Sequence, residues 1–294
     1  MQLGQTLYRP GRITVHRTDG VSVAPEGQTA AGEVIAREYG DAYLPPTPPT
    51  YKVKSANAQE AQEAIRPTDV ARLPDEKADG DGAKLYALIW RRAVASQMEP
   101  AQFERTTIDL LNKEKSATLR ATGQVLIFDG FIKLYTEGRD DTDKDEDAEA
   151  RLPKLSEGEH ADLLEAKSEQ HFTNPPPRYT EASLVKKLEE LGIGRPSTYA
   201  STMSTLVDRD YVRIEKKQLV PEDKGILVTS FLENFFQRYV EYDYTANLEE
   251  KLDVISDGKL DWKAFLREFW TQFTTAIAET KDLRVSAVLD VLNE

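Results

Sequence analysis

The apolar period of this chain changes twice, and the change limits what the chain can fold into. Up to about residue 98 apolar residues recur at helical spacing, with Ile89, Trp90 and Ala93 three, four and seven positions after Tyr86. That spacing places them on one buried helix face. Through Thr106, Ile108 and Leu110, and then in TLRATGQVLIF, apolar and polar residues alternate, the pattern of half-buried antiparallel strands. After Asn174-Pro175-Pro176-Pro177 the helical period returns. No single layer serves all three stretches, and 294 residues exceed one simple core. The expectation is a multidomain α+β chain, mainly helical, divided into 1–98, a β-rich 99–175 and a helical 176–294.

Local signals fill in this outline. Arg12 to Val15 reads as a strand, Ala31, Val34 and Ile35 mark a helix that stops near Gly40, and LPPTPPTYK forces an extended passage. The abrupt start at MQLGQTLYRPGR reads as a truncation. Residues 139–151 hold seven acids against three bases, a local charge of −4, and read as a solvated insertion. A calcium loop beginning at Asp141 is disfavoured, because Glu146 stands where a Gly is needed and Leu152 where a carboxylate is needed. Thr180 caps a helix that runs to Leu191 and stops at Gly192; a second opens at Pro196, and Tyr211 to Val220 reads as a hairpin. Helix, Gly turn, helix and hairpin outline a winged helix-turn-helix. Two later stripes, one of Val228, Phe231, Leu232 and Phe235 and one from Trp262 to Phe273, read as core faces.

Composition excludes several chemistries. The chain has no cysteine, hence no thiolate nucleophile and no zinc ribbon, and its three histidines leave little room for a His-rich metal site. No apolar run is long enough to span a membrane and no signal-peptide stretch opens the chain, so it reads as soluble and intracellular. A net charge of −13 argues against nucleic acid. The sign reverses locally: from Arg178 to Lys217 eight bases face six acids, a sum of +2.

Three polar clusters could carry chemistry. In GRITVHRTDG, Arg17, Thr18 and Asp19 follow a strand, though an Arg–Asp ion pair there is the plainer reading. In NAQEAQEAIRPTD, Asn57, Gln62, Glu63, Arg66 and Asp69 are spaced as on a short helix that Pro67 ends, which can simply be a solvated helix. In GIGRPSTYASTMSTLVDRDYV a Gly turn leads into a helix start carrying Arg195, Ser197 and Thr198. Amides, hydroxyls and a guanidinium there suit a phosphate or a plain helix cap equally.

Taken in order, the clusters resemble the type IA DNA topoisomerases of bacteria. LYRPGRITVHRTDG is similar to the family's LY-x-x-G-x-ITY-x-RTDS nucleophile segment and NAQEAQEAIRPTDV to its EA-H-EAIRPTD segment. PPPRYTEASLVKKLEELGIGRPSTYA is similar to its PP-R-(Y/F)-(T/S)-EASLVK-LE-GIGRPSTYA segment, and the tail YDYTANLEEKLDVISDGKLDWKAFLREFW fits as well. The resemblance implies part of the family's toroid: most of the gate domain (1–98), the β arch (99–175) and a winged-helix-like DNA-binding part (176–294). It also implies the family's reaction, in which a tyrosine attacks single-stranded DNA, holds the 5′ phosphate, allows strand passage and reseals.

By resemblance, Arg17 neutralises charge at the scissile phosphate, and Arg17, Arg66, Arg195, Ser197, Thr198 and Arg209 contact DNA. Three positions depart from the pattern. The nucleophilic tyrosine falls on Val15, the histidine of the second motif on Gln62, and the serine after RTD on Gly20. Tyr8 matches the tyrosine of the family's own LY, and His16 sits beside Val15 on the opposite face of a strand, so neither is a ready substitute. The Toprim carboxylates that bind magnesium in the family have no counterpart, since Asp141-Thr142-Asp143 lacks a preceding apolar strand. The expectation is a monomeric, cytoplasmic, nucleoid-associated chain that binds single-stranded DNA, holds no cofactor of its own, is inactive alone, and works with a separately encoded Toprim part. The alternative is a non-enzymatic scaffold built on the same fold. A repressor is disfavoured, because only Arg195 and Arg209 flank the recognition helix.

Overall fold

A computed structural model describes residues 2–16, 20–51, 63–75, 77–136, 152–153 and 155–281. These fall into two compact units, the first taking the described residues of 2–16, 22–51 and 63–177, the second taking 20–21 and the described residues from Arg178 onward.

The first unit is built on three helices: α1 (Gln2–Tyr8), α2 (Pro25–Tyr39) and α3 (Asp81–Ala95). Proline supplies the first residue of α2, where its missing N–H costs nothing. Gly40 ends that helix at φ 95°, donating its N–H to the carbonyls of Ile35 and Ala36. Along α3 the buried stripe is Tyr86, Trp90 and Val94, with Ile89 partly buried beside it. Leu7, Ile13, Ala31, Val34, Ile35, Val70 and Met98 complete this core. The Trp90 indole donates to the Val70 carbonyl at 2.8 Å, so its polar handle is satisfied inside the core. The proline passage after Leu44 is non-helical, as the sequence requires, and is pinned by Gln28 to the Pro49 carbonyl and by Tyr51 to the Ser96 carbonyl.

Strands β1 (Gln102–Leu111) and β2 (Thr118–Phe128) pair antiparallel, with Thr107 opposite Thr122. Asn112 closes their loop by accepting the N–H groups of Ser116 and Ala117. Asp109 and Arg120 meet across the strands at 2.7 and 2.9 Å. The expected half-burial holds on β1, where Thr106, Ile108 and Leu110 are half-buried between the exposed Thr107, Asp109 and Leu111; it is weaker elsewhere, since Phe103, Leu119, Leu126 and Ile127 are exposed and Gly123 is the one buried residue of the pair. The two strands pair only with each other among the described residues, and a two-stranded ribbon covers little of its own surface. The stretch from Leu155 to Tyr179 carries no helix or strand and is exposed, so among the described residues of 99–175 β structure is confined to the ribbon. The acidic insertion and the disfavoured calcium loop lie outside the described residues, apart from Leu152.

The second unit opens with α4 (Glu181–Glu190) and α5 (Pro196–Asp208), followed by β3 (Val212–Glu215) and β4 (Gln218–Pro221). Thr180 and Ser183 cap α4 reciprocally, the Thr180 N–H donating to Ser183 Oγ at 2.9 Å and the Ser183 N–H to Thr180 Oγ1 at 3.2 Å. The hairpin turns on Lys216 and Lys217, both at positive φ. The Leu219 N–H reaches the Tyr179 carbonyl at 2.7 Å, which ties β4 to the chain entering α4. Four helices follow: α6 (Asp223–Phe235), α7 (Gln237–Val240), α8 (Tyr242–Ser256) and α9 (Trp262–Thr280).

Here the expectation of core faces holds for α6 only as half-burial, of Val228, Phe231, Leu232 and Phe235, and needs correction on α9. No residue of α6 or α9 is fully buried. On α9, Phe269 and Phe273 turn toward Tyr239, at 6.4 and 5.4 Å between ring centroids, whereas Trp262, Leu266 and Trp270 are exposed. At about 100° per residue the six-residue stripe covers an arc of about 140°, and only the Phe265–Phe269–Phe273 side of it meets neighbours.

Candidate nucleic-acid interface

In the first unit two of the sequence clusters come together. Ile13 bridges Pro67 antiparallel, the Thr14 N–H donates to the Arg66 carbonyl at 3.0 Å, and Thr14 Oγ1 donates to the Ala64 carbonyl at 3.2 Å. Ser22 bridges Glu63 in parallel. Residues 12–14 and 22 therefore flank 63–68, about fifty positions along the chain. This pairing corrects two local expectations. Arg12 to Val15 forms a single bridge rather than a strand, and the described residues 63–67 are extended rather than helical.

Val15 follows directly and is half-buried, an aliphatic side chain with no atom able to attack phosphorus. His16 stacks obliquely on Tyr8 with 5.2 Å between centroids, and its Nδ1 is buried without a partner among the described residues. Arg17, Thr18, Asp19, Asn57 and Gln62 lie outside the described residues. Arg66 does not face outward: its Nε lies 2.6 Å from Glu63 Oε1, its Nη1 donates to the Pro67 carbonyl, and its side chain is 11% exposed. The same Glu63 oxygen accepts the Ala24 N–H at 3.0 Å, just ahead of α2, where a carboxylate also suits the helix dipole.

The third cluster stands in the second unit. Gly194, at φ 79°, takes the chain over the buried Tyr199 ring, 3.3 Å from where a Cβ would sit. Arg195 then caps α5, its N–H donating to Thr198 Oγ1 at 3.0 Å while that hydroxyl donates back to the Arg195 carbonyl. The guanidinium is engaged too: Nη1 lies 2.7 Å from Glu249, and Nη2 lies 2.9 Å from Asp253. Ser197 is exposed, and its hydroxyl makes no hydrogen bond among the described residues. Arg209, just past the end of α5, is exposed and carries no ion pair among the described residues.

Of the eight bases between Arg178 and Lys217, three are paired: Lys187 with Glu190, Arg195 as above, and Arg213 with Glu222 and Glu215. Hydrogen bonding to Glu222 holds the Arg213 guanidinium above its ordinary value. Arg178, Lys186, Arg209, Lys216 and Lys217 are exposed and carry no ion pair among the described residues. Sequence reasoning counted Lys216 and Lys217 but assigned them no role; two consecutive lysines at the tip of a hairpin were the available signal. It missed Glu249 and Asp253 as partners of Arg195, although four-residue spacing already put both on one face of α8. Among the described residues no three His, Cys, Asp or Glu side chains converge on one point. None of the described helices is long and apolar enough to cross a membrane.

Comparison with known proteins bears directly on these motifs. A family model described as DNA topoisomerase matches residues 1–267. DNA topoisomerase 1 of Zymomonas mobilis is 50% identical over 297 residues, covering 100% of this chain and 24% of its own length. DNA topoisomerase 1 of Rickettsia conorii is 47% identical over 305 residues, covering 100% and 39%. Full-length topoisomerase I from Thermotoga maritima superposes with a TM-score of 0.72 at 34% identity, over 94% of this chain and 45% of that one. The chain thus spans between a quarter and two-fifths of the length of these two curated relatives. A match along nearly the whole chain, at close to half identity and with the same fold, leaves one assignment: the chain belongs to the bacterial type IA DNA topoisomerases.

Proposed function

We propose that this chain supplies gate, arch and winged-helix-like DNA-binding parts of a type IA topoisomerase, binds single-stranded DNA as a monomer through the second unit, and does not break DNA by itself. The observation that carries the binding reading is the set of five exposed cations between Arg178 and Lys217 that have no ion pair among the described residues, in a chain whose net charge is −13. Exposed, uncompensated bases are what a phosphate backbone recruits. Ser197 adds an exposed hydroxyl at the start of α5. The role of Arg17 at the scissile phosphate, and that of Arg66 on DNA, rest on the family motif. Inactivity alone follows from Val15 at the nucleophile position, because an isopropyl group cannot form a phosphodiester. Magnesium in this reading is held by Toprim carboxylates on a separate part, and the assembly works in the cytoplasm at the nucleoid.

Titrating a labelled single-stranded oligonucleotide by fluorescence anisotropy tests the binding. Affinity that falls steeply with salt supports the reading, and no binding at low salt overturns it. Incubation with oligonucleotide and Mg²⁺ followed by a denaturing gel tests inactivity, which a covalent protein–DNA adduct would disprove.

The second reading, a partner-binding scaffold, is favoured by the ion pairs that occupy Arg195 and Arg66. It takes the lead if the anisotropy titration shows no binding.

A further inference from the structure

We infer that Glu249 and Asp253 act as a built-in competitor for DNA phosphate at Arg195. The inference rests on the DNA-binding reading above and adds a mechanism of control to it. The two carboxylates stand one turn apart on α8, and each takes a different terminal nitrogen of the guanidinium, at 2.7 and 2.9 Å. Nη1 also donates to the Gly194 carbonyl at 3.3 Å, so both terminal nitrogens already face partners. A phosphate taking the end-on, two-pronged contact with both terminal nitrogens has to displace these carboxylates. The charge balance points the same way: one guanidinium between two carboxylates leaves −1 at the spot where an anion would have to land.

The clamp is uneven, which makes it displaceable. Glu249 is 19% exposed and Asp253 61%. Solvent screens the Asp253 arm and weakens it, so that arm opens first. The Ser197 hydroxyl waits at the same helix start with no partner to give up. Strand binding therefore exchanges carboxylate for phosphate on Arg195, and the unpaired Arg209, Lys216 and Lys217 supply the initial attraction.

The test compares four versions of the full chain by anisotropy titration of one labelled single-stranded oligonucleotide: the parent, Glu249→Gln with Asp253→Asn, that pair combined with Arg195→Ala, and a control, Asp243→Asn with Glu250→Gln. The control removes the same charge from two exposed acids of α8 that make no ion pair among the described residues. The expected result is binding at least about fivefold tighter in the Glu249/Asp253 variant than in the control, with a salt slope steeper by about one phosphate contact. The gain should vanish when Arg195→Ala is added. Asp253→Asn alone, at the exposed arm, should give part of the gain without disturbing the fold. Should the Glu249/Asp253 variant bind no tighter than the control while the parent binds, the competitor is refuted and the DNA reading stands. Should no version bind at low salt, both fall together.

Discussion

Arg66 lies against Gly27 so closely that a Cβ on Gly27 would stand 2.7 Å from its Nε. Arg66 has little freedom to retreat, being held by Glu63 and the Pro67 carbonyl at 11% exposure. Replacing a helical glycine by alanine ordinarily stabilises by about 1 kcal/mol. Displacing a packed side chain from its partners costs about 1–3 kcal/mol. The second effect should win, so Gly27→Ala is expected to lower stability by about 1 kcal/mol in denaturant unfolding, against the helix scale. A stabilised variant would show that the Arg66–Glu63 pair repacks freely.

The two units should answer core truncation differently. Ile35 is fully buried among Leu7, Val34 and Trp90, and Ile35→Ala should cost about 2–5 kcal/mol through lost burial and the cavity left behind. Leu266 is 48% exposed on α9, and Leu266→Ala should change stability by no more than about 0.5 kcal/mol. Urea unfolding of both variants distinguishes these outcomes. A loss of several kcal/mol at Leu266 would mean that the stripe is a core face after all.

That contrast marks where the sequence was legible. Period alone located α3 and its buried Tyr86 and Trp90, because those side chains have a second helix layer to meet. The same period on α9 identified the helix but not its burial, since periodicity reports which residues share a face and not whether anything covers it. At the site, capping chemistry placed Arg195 and Thr198 correctly at the start of α5. The spacing of Glu249 and Asp253 put them on one face of α8, but nothing local says that this face meets a residue more than fifty positions away. The helix expected before Pro67 fails on its described residues, because 63–67 pairs with residues 13 and 22, and tertiary pairing outweighs local propensity.

Alkaline pH should destabilise the first unit through Tyr86. Burial pushes its hydroxyl above the ordinary value of 10.0, outweighing the pull of Arg72, and the hydroxyl donates to the Arg72 carbonyl at 2.8 Å. An acid whose folded pKa is raised keeps its proton more tightly when folded. Its contribution is therefore fully present below pH 10 and is lost as pH rises through the folded value. Thermal melts between about pH 8 and 11 should show a fall that shrinks in Tyr86→Phe. That variant should also lose about 1 kcal/mol at neutral pH, because the Arg72 carbonyl gives up its donor. An unchanged alkaline slope would assign the fall to other groups.

Arg209 offers the cleanest test of the phosphate reading, because no existing contact has to be broken for it to act. It is exposed, it carries no ion pair among the described residues, and it sits where α5 gives way to the hairpin bearing Lys216 and Lys217. Arg209→Ala should therefore weaken single-strand binding by a similar factor for every oligonucleotide sequence, and reduce the slope of log affinity against log salt by about 0.7. Stability should stay within about 0.5 kcal/mol of the parent, since the side chain supports nothing in the fold. A base-dependent loss would indicate contacts to base edges instead of phosphate. An unchanged titration would mean that the strand runs elsewhere on the second unit, and would shift attention to the unpaired Arg178 and Lys186 on the entry side of α4.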